Sequence, residues 1–278
     1  MSGGTGPAAG TAATDMPRLS DGDLARLVDD HFHIQVLAFG HIAPRGEARL
    51  SDHAVLAHCG VASVFNRATA LDLEQPDLAI ADVQRFFGEL PHALWLLDSR
   101  VSQDTDTLLR GRGYAPLPPL AGMARTLPAA DLPVHDGHHA TLFADPSLAA
   151  SIAEVASASF GFGVEDRLVF EDLARNVLRH ARPFNHGAVY GHREGGRVTS
   201  VGLLLCTAEL AGLSTIATLP RHRHRGLASA VIARALHDAA ALGYRATGVV
   251  TNPDSGRLML TLGFRPVSAY RVYRQVRR

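Results

Sequence analysis

The four residues Gly113-Tyr114-Ala115-Pro116 resemble Gly263-Phe264-Arg265-Pro266 at an offset of 150 residues, and both stand at the same place in the same order of elements. In the second half, apolar runs and alternation predict strands at 187–192, 198–210, 213–219, 247–251 and 267–275. Helical spacing there covers 151–160, 165–180, 226–242 and 255–262, and Gly195-Gly196 marks a hairpin turn. The first half repeats the last part of that order, with strands at 61–70, 93–98 and 122–127 and helices at 77–90 and 105–112. Such a repeat is one supersecondary unit used twice, so the chain is expected to build two α/β domains.

Prolines bracket Leu127-Pro128-Ala129-Ala130-Asp131-Leu132-Pro133, which reads as the linker and sets domains at 19–128 and 133–278. Residues 1–18 are mostly Gly, Ala, Thr and Pro with few large apolar side chains to offset ordering entropy, so a disordered tail is expected there. That tail has neither the basic start nor the apolar centre of a secretion signal. Lys+Arg and Asp+Glu both number 27, which removes the charge excess of a nucleic-acid or membrane-surface binder. Cys59 and Cys206 are too few for a disulfide scaffold, so a reducing, cytoplasmic setting is expected. No apolar run approaches the length of about 20 residues that spans a bilayer. A monomer or homodimer fits this composition.

Fifteen histidines include the pairs His31/His33 and His222/His224, yet neither pair has Cys or carboxylates at zinc-ligand spacing, so no metal is expected. Cys206 sits in an apolar run and reads as a small core residue, and Trp95 reads as core of the first half.

The chemically informative segment is Thr218-Leu219-Pro220-Arg221-His222-Arg223-His224-Arg225-Gly226-Leu227-Ala228-Ser229. A strand ends, the chain turns through a glycine, and a long helix starts. The first N–H groups of a helix lack partners, and the helix dipole adds about half a positive charge there, which suits a pyrophosphate. Arg221, Arg223 and Arg225 are expected to add charge around this nest.

Arg223-His224-Arg225-Gly226-Leu227-Ala228 is similar to the Arg/Gln-x-x-Gly-x-Gly/Ala pyrophosphate loop of the GNAT superfamily of acyl-CoA-dependent N-acetyltransferases. Asn252-Pro253-Asp254-Ser255, then Leu258 and Leu262-Gly263-Phe264, resemble the second half of that family's cofactor site, and Tyr270 to Arg274 its last strand. The likeness covers about 133–278. The first half resembles a degenerate copy, as in two-domain GNAT proteins: it keeps Gly113-Tyr114 but lacks the Arg-x-x-Gly-x-Ala loop. The Phe65-Asn66-Arg67 turn also resembles a feature of those proteins. The resemblance implies tandem folds, each a mixed, mostly antiparallel sheet flanked by helices, the second binding acetyl-CoA and the first forming a platform or one wall of the acceptor cleft.

It further implies that the backbone of Arg223, His224, Arg225, Gly226, Leu227 and Ala228, helped by Ser229, holds the pyrophosphate. Ala217, Thr218 and Leu219 would run along the pantetheine, with an N–H near Thr218 or Leu219 polarising the thioester carbonyl. Asn252 and Ser255 would contact the cofactor arm. The implied activity is acetyl transfer to the amine of a small molecule by direct attack. Much of the family has a Tyr proton donor where this chain has Met259, which moves that role to Ser255, Tyr270 or a water, or leaves it vacant. Glu209 is the first candidate for the general base, with Glu154 and Glu165 behind it. Two rival readings are a non-catalytic acyl-CoA sensor or scaffold and a transferase for a larger acyl group.

Overall fold

The computed structural model describes residues 18–128, 140–179 and 184–276. The expected tail, apart from Arg18, and the expected linker beyond Pro128 lie outside the described residues, as does His180 at the end of the helix expected over 165–180.

The first element is a helix absent from the sequence reading, α1 (Asp21–Ile42). Its start is a capping box: Asp23 N–H donates to Ser20 Oγ at 3.1 Å, and Ser20 N–H donates to the Asp23 carboxylate at 2.9 Å. Leu24, Leu27, Val28, His31, Phe32, Val36 and Phe39 recur at helical spacing and form its buried face. The rest of the first half is β1 (Glu47–Leu50), β2 (Val55–His58), β3 (Arg67–Thr69), α2 (Pro76–Phe87), β4 (Ala93–Leu97), α3 (Gln103–Gly111) and β5 (Tyr114–Thr126). The strand expected over 61–70 shrinks to β3. Asn66 is the reason: its Nδ2 donates to Val61 O and Pro91 O, and its Oδ1 accepts from Cys59 N–H, so the buried amide shapes a turn.

The second half holds β6 (Thr141–Phe143), α4 (Ala149–Phe160), α5 (Val164–Leu178), β7 (His186–Glu194), β8 (Arg197–Cys206), β9 (Ala211–Thr218), α6 (Leu227–Ala241), β10 (Ala246–Thr251), α7 (Pro253–Thr261) and β11 (Arg265–Gln275). All strands join one mixed sheet of 11, in the order β1-β2-β3-β4-β11-β5-β10-β9-β8-β7-β6. Only β3–β4 and β9–β10 are parallel, each pair linked by the intervening helix, α2 or α6.

The closing strands are exchanged between the halves. β5 pairs antiparallel with β10 of the second half, while β11 pairs antiparallel with β4 of the first. The two expected sheets are therefore continuous, and the halves hold each other's last strands.

Both faces of the second half are covered, and β8 is buried at every position after Arg197. Leu203 and Leu205 face α4 and α5, and Leu204 and Cys206 alternate to the α6 side. Cys206 is fully buried and its thiol is pushed up to about 12, in keeping with a core residue. On its own face, α1 packs over β2, β5 and β10, spanning the join between the halves.

Candidate active site

β9 and β10 pair only at Ala211–Thr247 and Gly212–Gly248 and then part. A bulge in β9 accompanies the parting: Val201 faces Ala217 and Leu203 faces Ser214, leaving Thr215 and Ile216 opposite Gly202. Thr215 sits at φ +50°, rare for a β-branched residue and a mark of local strain. Gly202 makes room for the bulge, because a Cβ there would come within 2.7 Å of Val231 and 2.8 Å of Ile216.

Leu219 N–H donates to Thr199 O at 2.9 Å and is thereby committed to β8. By strand alternation Thr218 turns its N–H and C=O the other way, into the gap. Of these two N–H groups, that of Leu219 is the one bound to β8. The Thr218 oxygen accepts from Ser159 Oγ and from Arg223 Nε, each at 3.3 Å.

β9 leads through the 219–226 loop to α6. Gly226 stands at its N-cap with φ +76° and offers no side chain to the helix end. Ala230 N–H makes the first return bond, to Gly226 O at 3.0 Å, so the N–H groups of Leu227, Ala228 and Ser229 have no intrahelical acceptor. Ser20, Ser102 and Asn252 cap α1, α3 and α7, while α2, α4 and α5 also lack a side-chain cap, so α6 is set apart by its left-handed N-cap. His224, at φ +60°, completes a turn of left-handed residues before the helix.

The loop arginines do not all contribute as expected. Arg225 makes two 3.2 Å bonds to the Glu194 carboxylate, which also lies 3.0 Å from His222 Nδ1. Arg223 turns back to Thr218 O and to Ser159, bracing α4 against the loop. The positive field at the nest thus comes mainly from backbone N–H groups and the dipole of a 15-residue helix, while Arg221 donates to His222.

A cleft of about 250 Å3 passes through the sheet where β9 and β10 part. Its lining includes Ser214 to Ile216, Thr251, Asn252, Ser255 and Met259 together with Phe32, Gln35, Phe65, Arg67, Trp95 and Phe162. Trp95 is therefore a cleft wall instead of simple core. It stacks on Phe32 at 5.0 Å, and the Arg67 guanidinium lies 4.3 Å above its ring. Gln35 Nε2 donates to Ser214 Oγ at 2.7 Å, tying α1 to the bulge. Among the described residues lining the cleft, Arg67 is the one charged side chain.

The profile of the Acetyltransferase (GNAT) family matches residues 150–264. Residues 150–264 are a GNAT acetyltransferase domain. The whole chain also superposes on solved structures with GNAT folds. One is a GCN5-related N-acetyltransferase from Kribbella flavida, at TM-score 0.68 and 14% identity over 92% of this chain and 96% of that one. Another is an acetyltransferase of the GNAT family from Novosphingobium aromaticivorans, at 0.57 and 18% over 87% and 95%. A third is a tandem GNAT protein from the clavulanic acid biosynthesis pathway, solved without AcCoA, at 0.54 and 13% over 92% and 96%. At these identities the likeness shows the fold, and its coverage shows that the first half shares in it. No curated protein matches the chain. Among the described residues, no helix is long and apolar enough to cross a membrane.

Within residues 150–264, Asn252 and Ser255 line the cleft, whereas Thr218 ends β9 and Gly226 to Ser229 form the start of α6. Asn252 Oδ1 is bound to Ser255 N–H at 2.9 Å, so Asn252 caps α7 at the edge of the cleft. Glu209 is elsewhere. It lies in the β8–β9 hairpin, 65% exposed and 3.8 Å from Arg26. Because β9 carries the chain back antiparallel over eight residues, that hairpin is about 23 Å from Thr218, and Glu209 as the base is corrected on this ground. Glu154 binds Arg197 on the surface, and neither it nor Glu165 lines the cleft.

Tyr270 is buried with its hydroxyl 3.2 Å from Asp29, which removes it as a proton donor in the cleft. Met259 does line the cleft, buried against α6-side core residues. The sequence reading missed Phe32, Gln35 and Arg67 as cleft residues; the Ser20-x-x-Asp23 box signalled α1, but nothing local signalled which face α1 would present.

Proposed function

We propose that the protein transfers the acetyl group of acetyl-CoA to the amine of a small molecule by direct attack. The observation that carries this is the uncapped N-terminus of α6 behind left-handed Gly226, set at the end of two parted parallel strands with a cleft running between them. Backbone N–H groups of Leu227, Ala228 and Ser229 fit a pyrophosphate, and the gap beside β9 admits an extended arm that bonds to main-chain groups. Acetyl-CoA supplies an activated carbonyl. In this reading Thr218 N–H polarises that carbonyl, and Ser255, a hydroxyl lining the cleft, serves as the proton donor. The amine forms the new C–N bond as the C–S bond breaks; the amine loses a proton and the thiolate gains one. With no carboxylate or imidazole lining the cleft among the described residues, the amine arrives neutral and its proton leaves through water.

The first half supplies Phe32, Phe65, Arg67 and Trp95 to the acceptor end, which supports its reading as a cleft wall. Its own strand-to-helix turn before α2 carries Asp72, Glu74 and Asp77 in place of arginines and glycine, which disfavours a second acyl-CoA there. A cytoplasmic protein accords with this substrate.

A non-catalytic acyl-CoA sensor is the second reading, favoured by Met259 and the lack of a base. A larger, anionic acyl group draws nothing from Arg223 and Arg225, which are turned to Thr218, Ser159 and Glu194. Titration with acetyl-CoA, followed by thiol release on addition of amines, tests both. Binding with turnover supports the enzyme, binding without turnover for any amine supports the sensor, and no binding refutes the site.

A further inference from the structure

The acceptor end of the cleft has an uneven chemistry. Its walls are aromatic: Phe32 stacks on Trp95 at 5.0 Å, and Phe65 meets Phe162 edge-on at 5.6 Å. Into this surface comes one cation. The Arg67 guanidinium lies 4.3 Å from the Trp95 centroid and 5.6 Å from that of Phe65, and its Nε donates to Val64 O at 3.1 Å. Those contacts fix the guanidinium plane, while its two Nη groups have no partner among the described residues. Burial lowers Arg67 only to about 10, so it is charged at neutral pH.

Asp166 is the acid whose field reaches Arg67, but it is engaged elsewhere. Its Oδ1 accepts from Ser63 Oγ at 2.7 Å and from Val64 N–H at 2.8 Å, and it makes no ion pair with Arg67. No Asp, Glu or His side chain lines the cleft among the described residues. A partly buried cation without a counter-ion is costly unless an anion completes it, and nothing in the cleft stabilises a second positive charge.

We propose that the acceptor is a small amine that also bears a carboxylate on an aromatic or large apolar body, with Arg67 holding the carboxylate. In chemical class this is an aromatic amino acid. The amine's role rests on the acetyl-transfer reading, whereas the carboxylate subsite is a matter of binding alone. The fork of a guanidinium matches a carboxylate through two parallel bonds, and the Trp95 and Phe65 rings that orient it also flank the apolar body. In the transfer the nitrogen lone pair forms the amide bond, the thioester C–S bond breaks, the ammonium-derived proton passes to water, the thiolate is protonated, and the carboxylate is unchanged.

The test is calorimetric titration of the full chain with N-acetyl-L-phenylalanine and with its primary amide, which share one body and differ in the carboxylate. The expected result is an acid bound at least about tenfold more tightly than the amide, a preference that Arg67→Met removes. Equal binding of acid and amide by the unaltered protein, which needs no variant to fold, overturns the proposal. Survival of the preference in Arg67→Met does so as well, as does tighter binding of spermidine than of the acid. A parallel titration with acetyl-CoA separates the two readings. Acetyl-CoA binding without an acid preference refutes the acceptor class and leaves acetyl transfer standing, and an acid preference without acetyl-CoA binding supports the subsite and refutes acetyl transfer.

Discussion

Replacing Gly226 by Glu and, separately, by Ala isolates what the α6 N-terminus does. Gly226 occupies φ +76°, ψ 0°, a left-handed conformation that costs any residue with a Cβ about 1–2 kcal/mol. Both variants bear that cost, which is expected to lower Tm by about 2–4 °C per kcal/mol. They differ in the carboxylate that Glu places beside the N–H groups of Leu227 to Ser229. A unit charge about 5 Å from each phosphate, at an effective dielectric of about 20, contributes about 3 kcal/mol of repulsion. Screening at physiological salt roughly halves this. Two phosphate charges then leave about 3 kcal/mol, so Gly226→Glu is expected to bind acetyl-CoA about a hundredfold more weakly than Gly226→Ala. Calorimetry on the two proteins at matched ionic strength measures that ratio. If the affinities agree within about threefold, the anion site is not at this helix end and the reasoning fails.

Three further outcomes are expected. Because the cleft lining has no titratable base among the described residues, kcat/KM is expected to rise with pH along the acceptor amine's own ionisation; a midpoint that stays fixed when the acceptor is exchanged for a less basic amine would reveal an enzyme base. Glu209→Gln is expected to keep kcat within about twofold, given its exposed place in the far hairpin, and a large loss in a steady-state assay would reinstate it. His31, whose two ring nitrogens have no partner among the described residues, is pushed down to about 4 by burial from its ordinary 6.5. The unfolded chain therefore takes up a proton below pH 6.5 that the folded one refuses until about 4, and stability falls as pH drops through that window. Urea unfolding at pH 7 and pH 5 is expected to show the parent losing about 2 kcal/mol more than His31→Phe, and equal losses would count against a neutral buried imidazole.

Local signals carried much of the second half. β8, β9, α6, β10, α7 and β11 follow from apolar runs, helical stripes and glycine stops, because each of those patterns acts within one or two turns of chain. The same holds for the loop before α6, where Gly226 and the uncapped helix start are consecutive residues. The 150-residue repeat gave an expectation of paired units from order alone. What the sequence could not reveal depends on residues far apart in the chain. β5 and β11 have the pattern of strands, but whether each closes its own sheet or its neighbour's turns on non-local pairing, with similar hydrogen bonds in either arrangement. Glu209 was placed beside the reaction because it follows a core strand; the antiparallel return of β9 puts it at the other end. Arg67, Trp95 and Phe32 have no shared motif. They form one surface because α1 lies over the joined halves and the Asn66 turn aims Phe65 and Arg67 at it, so the character of the acceptor end was decided by tertiary packing.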